Sequence, residues 1–491
     1  MKKQTYSYNT QHQKLLADTL TPVAIYMRLR DKYPNSFLLE SNEYGQRTNS
    51  YSFICCNPVS SFKIQDNRLE TTFPDGLSHN NSIDLKYDLA SGLQDYKDLF
   101  DNQETDFPFP VNGVFGYLSY DAVQYFEDIK FRNRTVNSEA KASSNSAFAK
   151  AKSKESKVKN IPIAHYQVFQ NIIVFDHFHN QVYIFDHNYG SQNSKLQELV
   201  SIIEHRDVAK YTFTTTDSES SEMTDEDFID FVQKGKQHCH RGDVFQIVLS
   251  RKFKQPFSGD DFNVYRQLRA INPSPYLFYF DYGNFRIMGS SPEAQLLIKN
   301  DTASIQPIAG TYKRTGDDIA DLKAAQSLKK DPKETAEHVM LVDLARNDLS
   351  RHARNVTVTD YQNIHFYSHV IHMVSKVTGT VNEESKMQLI GDTFPAGTLS
   401  GAPKHNAMQL IDTYEKSARE FYGGAIGYLG FDGSFNHAII IRSILSRNNQ
   451  LEFRAGAGIV ERSNDLDEMN EVYHKTNALR KAIKKANELF K

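Results

Sequence analysis

The stretch QNIIVFDHFHNQVYIFDH, residues 170–187, contains two runs of β-branched and aromatic residues with a polar segment between them. Similar runs occur at residues 51–56 (YSFICC), 113–120 (GVFGYLSY) and 242–253 (GDVFQIVLSRKF). Such residues are enriched in strands. Because predicted strands outnumber clean β–helix–β units, the sequence favours an α+β fold with large antiparallel sheets over a parallel doubly wound sheet. The glycine-rich stretch RAGAGIV (454–460) does not change this, because no helix with dinucleotide-binding spacing follows it.

Two polar segments suggest how the chain is divided. Residues 137–160 are rich in Ala, Ser and Lys with almost no large apolar side chains, which predicts a mobile surface insertion. The segment TTTDSESSE (214–222) separates a predicted amino-terminal domain, residues 1–215, from a second domain, residues 222–485. Thr224 is predicted to cap the first helix of the second domain, which ends in a long helix.

The composition is that of a globular cytoplasmic protein. The 491 residues carry a formal net charge of −3, with 39% hydrophobic and 24% charged residues and no long basic patch, so nucleic acid is not an expected partner. No apolar run approaches the roughly 20 residues that span a bilayer, so no membrane partner is expected either. The three cysteines, two of them adjacent, predict reduced thiols and not a disulfide framework or a zinc site.

The segment DPKETAEHVMLVDLARNDLS, residues 331–350, predicts one helix with an unusual face. Glu334 and Glu337 share that face with Leu341 and Leu344, because residues three, four and seven apart lie on one side of a helix. Burying a carboxylate costs free energy unless it is paired or binds a metal. The pattern therefore indicates that the two glutamates have a charged partner or bind a metal ion.

The last helix repeats the pattern. Glu468 and Glu471 are three residues apart, and Lys475 follows four residues later. Two helices that each present a carboxylate pair suit Mg²⁺, which takes oxygen ligands and completes its shell with water and an anionic substrate. The spacing alone leaves open that both pairs are structural, on solvated helix faces.

Two segments have the composition of anion receptors. FPAGTLSGAPK (394–404) places glycines with Thr398 and Lys404 in one predicted loop, and RAGAGIV offers backbone N–H groups at Gly456 and Gly458. Each segment alone is equally compatible with an ordinary turn.

Three further side chains are candidates for binding or proton transfer. Arg442 lies in the predicted apolar strand AIIIRSIL (438–445), where a guanidinium needs a carboxylate partner. Tyr422 precedes a Gly-Gly pair, and His372 lies on an apolar segment with a side chain that titrates near neutral pH. A hydrogen-bonded core histidine and a satisfied core ion pair are the alternatives.

Taken together, these segments resemble the chorismate-utilising enzymes, and among them the anthranilate synthase component I branch. The resemblance covers nearly the whole chain except the insertion and is densest from about residue 225 to 480. It rests on the following motifs in chain order: FLLES, YSFICCNP, GYLSYDAVQYFE, GDVFQIVLSRKF, NPSPYLFYF, SSPEAQLL, PIAGTYKRTGD, DPKETAEHVMLVDLARNDL, SHVIHMVS, FPAGTLSGAPK, YGGAIGYLGFDG, AIIIRS and AGAGIVERS.

The resemblance implies a fold of stacked antiparallel sheets with surrounding helices, and a reaction. Ammonia adds to the chorismate ring at C2 as the C4 hydroxyl leaves, and pyruvate is then eliminated to give anthranilate, the first step of tryptophan biosynthesis. The implied Mg²⁺ ligands are Glu334, Glu337, Glu468 and Glu471. Glu334 also counts as catalytic, with His372 as acid/base and Thr398. The implied substrate contacts are Tyr422, Arg442, Gly456, Gly458, Lys475, Thr398, Gln246, Ala309, Gly310 and Thr311.

Two positions distinguish the branches of the family. Gln246 stands where relatives that add water to chorismate have a general-base lysine. Ala309 stands where many aminodeoxychorismate synthases have a lysine nucleophile. Both favour the anthranilate branch. Aminodeoxychorismate synthase component I and a non-catalytic tryptophan-binding homologue are the alternatives.

The resemblance also implies feedback inhibition by L-tryptophan. The matching residues are Glu40, Ser41, Ser50, Asn272, Pro273, Ser274, Pro275 and Tyr276. Ser50 departs from the family, which usually has a basic residue there. Smaller departures are Gln306, in place of a common arginine, and Glu420, in place of a common glycine.

A partner is implied as well. None of the three cysteines lies in the glycine-flanked turn that a glutamine amidotransferase requires. We therefore expect a hetero-oligomer in which a separate glutamine amidotransferase subunit supplies ammonia.

Overall fold

The computed structural model describes residues 5–41, 50–103, 105–132, 160–190, 193–366 and 370–490. The predicted insertion lies outside the described residues, apart from Asn160 at its end. The helices are α1 (Pro22–Leu29), α2 (Leu89–Lys97), α3 (Leu196–His205), α4 (Asp225–Arg241), α5 (Phe262–Ile271), α6 (Asp318–Lys330), α7 (Pro332–Ser350), α8 (Lys386–Asp392), α9 (Gly397–Ser400), α10 (Lys404–Tyr414) and α11 (Asp465–Ala486).

The strands are numbered in the same way. They are β1 (Tyr8–Leu16), β2 (Phe37–Ser41), β3 (Tyr51–Gln65), β4 (Arg68–Thr72), β5 (Ser78–Ser82), β6 (Gly113–Leu118), β7 (Ala164–Asp176), β8 (Gln181–Tyr189), β9 (Phe213–Thr215), β10 (Ser220–Ser221), β11 (Gln246–Gly259), β12 (Tyr276–Asp281), β13 (Phe285–Ser291), β14 (Ala294–Lys299), β15 (Thr302–Ile305), β16 (Ile308–Lys313), β17 (Arg354–Phe366), β18 (Val370–Thr380), β19 (Gly401–Ala402), β20 (Ala425–Gly430), β21 (Phe435–Ile439), β22 (Ser443–Arg447) and β23 (Gln450–Ile459).

The sheets are antiparallel, as the sequence predicts. Within the described ranges every strand pairing is antiparallel, apart from one isolated parallel bridge between Tyr6 and Phe100. Strands β7 and β8 form a hairpin that includes residues 170–187. Most of β7 is buried, which explains its run of apolar residues. The α+β prediction with large antiparallel sheets is confirmed.

One succession of paired strands connects the predicted tryptophan segments to the strand that carries Gly456 and Gly458. It runs β2–β12–β13–β22–β23–β11, and each strand is hydrogen-bonded to the next. The predicted tryptophan segments lie at its β2–β12 end, while the predicted glycine site lies on β23. Helix α11 packs on β23 and on α5, and α7 packs on β16, β17 and β18. These contacts set the two acidic helices beside the sheet.

Strand pairs also join the two predicted domains. Strand β2 pairs with β12, and β6 pairs with β20 over its whole length. The three largest clusters of buried apolar residues each contain side chains from before residue 215 and after residue 222. The division at residues 215–222 stays a prediction. No helix in the described ranges is long and apolar enough to cross a membrane.

Candidate functional site

Helix α7 positions the first carboxylate pair. The Asp331 side chain accepts hydrogen bonds from the backbone N–H groups of Lys333 and Glu334, at 2.9 and 3.3 Å, and Pro332 occupies the first helical position. Both features favour a helix start. The predicted helix is therefore confirmed, and Glu334 and Glu337 are half-buried.

Helix α11 positions the second pair. Asn464 caps the helix by accepting from the backbone N–H groups of the first turn. Glu468 is buried, with 7% of its surface exposed. Lys475 Nζ lies 2.6 Å from Glu471 Oε1 and donates to the carbonyl oxygen of Gly456 at 2.9 Å. The predicted face of Glu468, Glu471 and Lys475 thus adjoins strand β23.

The two pairs interact electrostatically. Burial, followed by repulsion from Glu337, raises the pKa of Glu334, and burial with the charge of Glu471 raises the pKa of Glu337. Burial is the main cause that raises the pKa of Glu468 to about 7, and repulsion from Glu471 raises it further. Burial opposes ionisation of Glu471 too, but Lys475 reverses the effect and lowers the pKa of that carboxyl. Partly buried carboxylates that repel one another favour a bound cation.

The four carboxylates suit a metal ion by ligand type but not by their present positions. Among the residues that the structure describes, no three or more His, Cys, Asp or Glu side chains converge in an arrangement that holds an ion. Glu471 is instead directed at Lys475. The four carboxylates supply only oxygen, which matches the chemistry that Mg²⁺ prefers. The residues therefore fit Mg²⁺ by ligand type, and binding requires their side chains to turn toward the ion.

Strands β16 and β18 bring His372 to the same place. The register shifts between Ala309 and Thr311, and Gly310 takes a φ of +71° at this irregularity. His372 Nδ1 donates to the carbonyl oxygen of Gly310 at 2.9 Å. A Cβ atom on Gly310 would lie 3.1 Å from Glu334 Oε2, so this turn adjoins the acidic cluster. Ala309 is buried, and the side chain of Thr311 lies outside what the structure describes.

Burial lowers the pKa of His372, and the charge of Arg442 acts in the same direction. The ring is therefore neutral at neutral pH. Because Nδ1 carries its proton toward a carbonyl oxygen, the basic lone pair of the ring is on Nε2. His372 can accept a proton at Nε2.

Glycines at 456 and 458 allow β23 to approach β11 closely. A Cβ atom on Gly458 would lie 2.7 Å from Gln246 Nε2, and one on Gly456 would lie 2.6 Å from the carbonyl oxygen of Leu249. Gln246 also hydrogen-bonds Glu337. The structure thus brings Gln246, both glycines and the acidic cluster together.

Arg442 does not lie in a strand, contrary to the prediction. Strand β21 ends at Ile439 and β22 begins at Ser443, and Arg442 lies between them with a φ of +50°. Its Nη1 donates to the carbonyl oxygen of Lys475 at 3.3 Å. Burial lowers the pKa of Arg442, while Tyr422 and Glu471 interact with it favourably. An arginine that faces the site from a turn is suited to an anionic ligand.

The segment 394–404 is not a loop throughout. It contains the short helix α9 and the two-residue strand β19. Lys404 Nζ donates to Asp348 Oδ2 at 3.0 Å, so this cation serves a buried ion pair. Thr398 Oγ1 donates to Glu293 Oε1 at 3.0 Å, and the predicted role of Thr398 stays a prediction.

Glu293 is a functional candidate that the sequence analysis missed. Burial raises the pKa of its carboxyl to about 7, against the hydrogen bond from Thr398 and the charge of Lys475. A carboxyl with that pKa exchanges a proton near neutral pH. Its signal was present in the quoted motif SSPEAQLL, but composition gives no sign that this glutamate is buried.

The predicted tryptophan segments meet at the β2–β12 pair. Ser41 lies opposite Tyr276, and Ser50 Oγ donates to the carbonyl oxygen of Ser41 at 3.3 Å. Asn272 Nδ2 donates to Ser274 Oγ at 3.3 Å. Pro273 and Pro275 lie in the same segment, between α5 and β12.

The Glu40 carboxylate is held within the protein. It accepts from Tyr265 Oη at 2.6 Å and from Arg269 Nε at 2.9 Å, and only 4% of Glu40 is exposed. Glu40 therefore ties the end of β2 to α5 through Tyr265 and Arg269. Arg269 is a basic residue of the region that the sequence analysis did not single out.

The comparison with known families agrees with this geometry. Residues 34–481 match the family described as chorismate binding enzyme. The chain belongs to this family. Anthranilate synthase component 1 of Aquifex aeolicus is 32% identical over 99% of this chain and 97% of that protein, and the Bacillus subtilis protein of the same name is 35% identical over 96% and 92%.

Solved structures have the same fold. Anthranilate synthase component I from Streptococcus pneumoniae superposes with a TM-score of 0.71 at 28% identity and covers 95% of this chain and 99% of that one. The menaquinone-specific isochorismate synthase from Escherichia coli has a TM-score of 0.70 at 16% identity, and the superposition covers 98% of this chain and 95% of that one. At that identity the second likeness concerns the fold alone.

Proposed function

We propose that this chorismate-binding protein is the synthase subunit of an anthranilate synthase. The reaction converts chorismate and ammonia to anthranilate, pyruvate and water. The observation that carries the proposal is that Glu334 and Glu337 of α7 interact electrostatically with Glu471 of α11, which also hydrogen-bonds Glu468 and pairs with Lys475. Arg442 interacts with Glu471, and the carbonyl oxygen of Gly310, which lies beside Glu334, holds His372. Relatives called anthranilate synthase component 1, similar over nearly their whole length, support the same branch.

The basic and hydroxyl groups bind the two carboxylates of chorismate. The Arg442 guanidinium is a planar fork that suits a carboxylate, and Tyr422 interacts with it electrostatically. These two side chains hold the enolpyruvyl carboxylate. Lys475 and Thr398 face the ring carboxylate. When bound by Glu334, Glu337, Glu468 and Glu471, Mg²⁺ supplies positive charge that offsets the ring carboxylate and the departing hydroxyl.

Two residues handle protons. Glu293, protonated near neutral pH, donates to the C4 hydroxyl, which leaves as water while ammonia forms a bond to C2. In the second step a proton leaves C2 and the C3–O bond breaks, which makes the ring aromatic and releases enolpyruvate, and this takes up a proton at its methylene carbon to become pyruvate. Neutral His372 accepts the C2 proton at Nε2.

Ammonia comes from a separate glutamine amidotransferase subunit, and L-tryptophan inhibits the enzyme at the β2–β12 pocket. The free cysteines support the first part: Cys55 and Cys56 are buried, and burial raises the pKa of both thiols. Burial also raises the pKa of Cys239, to about 11. Thiols with raised pKa values are poor nucleophiles at neutral pH.

The test is anthranilate fluorescence from the purified chain with chorismate, Mg²⁺ and ammonium chloride, without glutamine. The chain has no Trp, so the protein adds little background. We expect anthranilate formation that requires Mg²⁺, and loss of turnover in Glu334→Gln with the fold retained. Full activity in that variant would refute the metal site. Chorismate consumption without anthranilate would indicate the aminodeoxychorismate synthase reaction, which Ala309 disfavours.

A further inference from the structure

A short series of hydrogen bonds links the proposed tryptophan pocket to the substrate arginine. Asn272 Nδ2 donates to Ser290 Oγ at 3.4 Å, and the Ser290 hydroxyl donates to the carbonyl oxygen of Asn272. The Ser290 backbone N–H then donates to the carbonyl oxygen of Arg442 at 3.1 Å. Ser290 is fully buried. Ser290 therefore connects the two residues, because its hydroxyl bonds Asn272 and its backbone N–H bonds Arg442.

The strand pairing follows the same direction. Tyr276 of β12 lies opposite Ser41 on one side and Ser291 on the other, and Gly289 of β13 lies opposite Ser443. The pairing of β13 with β22 ends at Gly289, and the next residue, Ser290, hydrogen-bonds Arg442. One strand, β13, therefore lies between the start of β12 and Arg442.

Arg442 has a conformation that its neighbours must maintain. A φ of +50° lies in the left-handed region, which a residue with a side chain adopts at a cost in free energy. Its carbonyl bond to Ser290 and its Nη1 bond to Lys475 both restrain it. Loss of one restraint would let Arg442 relax away from the orientation that faces the site.

We propose that Ser290 is a positioning residue that couples occupation of the Asn272–Tyr276 pocket by an L-amino acid to the orientation of Arg442. The inference rests on the proposed function and specifies how that site is regulated. A ligand that contacts Asn272 displaces this residue, and the Ser290 hydroxyl, which is hydrogen-bonded to Asn272, is drawn along with it. Ser290 then shifts, the bond to Arg442 weakens, and the enolpyruvyl carboxylate loses its partner. By linkage, chorismate weakens binding of the amino acid by the same factor.

The test replaces Ser290 with Ala, which removes the hydroxyl and keeps the backbone N–H that holds Arg442. The matched control is Ser446→Ala, since Ser446 is also buried, lies on the neighbouring strand β22 and hydrogen-bonds Asp261 away from this route. Turnover with ammonium, the KM for chorismate and direct calorimetric binding of L-tryptophan are measured for both variants and the unaltered protein.

We expect Ser290→Ala to keep its kcat and KM within about twofold and to bind L-tryptophan, while half-inhibition needs at least about tenfold more tryptophan. The control should be inhibited like the unaltered protein. Equal inhibition of Ser290→Ala, or loss of tryptophan binding together with inhibition, would overturn the coupling role. If Ser290→Ala does not fold, Ser290→Cys keeps the volume and weakens the hydrogen bonds.

Failure of the proposed function is recognised separately. If the unaltered protein makes anthranilate but neither binds nor responds to L-tryptophan, the regulatory inference is wrong and the catalytic proposal stands. If it makes no anthranilate even with a glutaminase partner, the catalytic proposal fails. If that inactive protein still binds L-tryptophan in calorimetry, it is a tryptophan-binding protein, and the coupling to an active site is also wrong.

Discussion

Glu293 is the residue on which the proton balance of the proposed reaction depends. Its pKa of about 7 means that the carboxyl is protonated below neutral pH and ionised above it. We expect Glu293→Gln to lower kcat about 10²-fold or more, the usual range for a general acid, with a much smaller change in the KM for chorismate. In the unaltered enzyme, kcat should fall as the pH rises above about 7, and this decline should be absent from the residual activity of the variant.

The control for this variant is Glu461→Gln, because the Glu461 side chain is 61% exposed and its ion-pair partner His240 is 80% exposed. Stability separates a catalytic defect from misfolding. Burial raises the pKa of Glu293 above that of an unfolded glutamate, so the folded protein loses stability as the pH rises from about 4.3 through about 7. Glu293→Gln lacks this loss and should melt no lower than the unaltered protein at pH 8. A lower melting temperature would contradict the assignment.

The helix positions of the candidate site residues could be predicted from their spacing, whereas the burial of those residues could not. The spacing of Glu334 and Glu337, and of Glu468, Glu471 and Lys475, placed five side chains correctly on two helix faces. The burial of Glu293 depends on segments distant in the sequence, as its hydrogen bond from Thr398 shows. A single sequence contains no measure of that burial.

At the scale of elements, the irregularity in β16 is a sensitive point of the site. Gly310 has a φ of +71°, and a Cβ atom there would lie 2.6 Å from Leu328 Cδ1 and 3.1 Å from Glu334 Oε2. We expect Gly310→Ala to cost at least about 1–3 kcal/mol of stability and to lower kcat, because the carbonyl that orients His372 must move. Chemical denaturation and turnover measure the two effects.

Gly316→Ala provides a matched control for backbone strain. Gly316 has a φ of +86°, but a Cβ atom would have no neighbour within 4 Å. This variant should lose stability from strain alone and keep its kcat. If both variants lost activity equally, the close contact of Gly310 with the site would not be the cause.

The cap of α7 is a second test at this scale. Asp331→Ala removes a side chain that accepts from the N–H groups of Lys333 and Glu334, so the first helical turn should fray at a cost of about 1 kcal/mol. Because Glu334 lies in that turn, half-maximal activity should require more Mg²⁺. Asp343→Ala, at an exposed position of the same helix, should leave the Mg²⁺ requirement unchanged.

The sequence predicted those elements whose signals are local. The capping box of Thr224 and Asp227 starts α4 as expected, and the β-rich runs became β3, β6, β7, β8 and β11. It failed at AIIIRSIL, where the apolar pattern runs through Arg442 although the chain turns there. That turn is held by the Ser290 N–H, and a bond between residues so far apart in the chain leaves no mark on the local pattern.

At the scale of the whole molecule, the sheets connect the two predicted domains too extensively for either to be complete alone. Without residues 1–221, β12 loses β2 and β20 loses β6. The buried carboxylate of Glu420, which accepts from Arg447 at 2.8 and 2.9 Å, would also lose its hydrogen bond from the Ile161 N–H. Unpaired strand edges and uncovered charges both disfavour an independent fold.

We therefore expect residues 222–490, expressed alone, to aggregate or to lack a cooperative unfolding transition, although they contain the four glutamates and the groups proposed to bind chorismate. Co-expression with residues 1–221 should restore a 1:1 complex, because the missing strands re-form the edges of β12 and β20. Size-exclusion chromatography and thermal unfolding of the fragment and of the complex measure this. A monomeric fragment with a sharp transition would show that the catalytic half folds independently, and residues 1–221 would then be needed only for the tryptophan response.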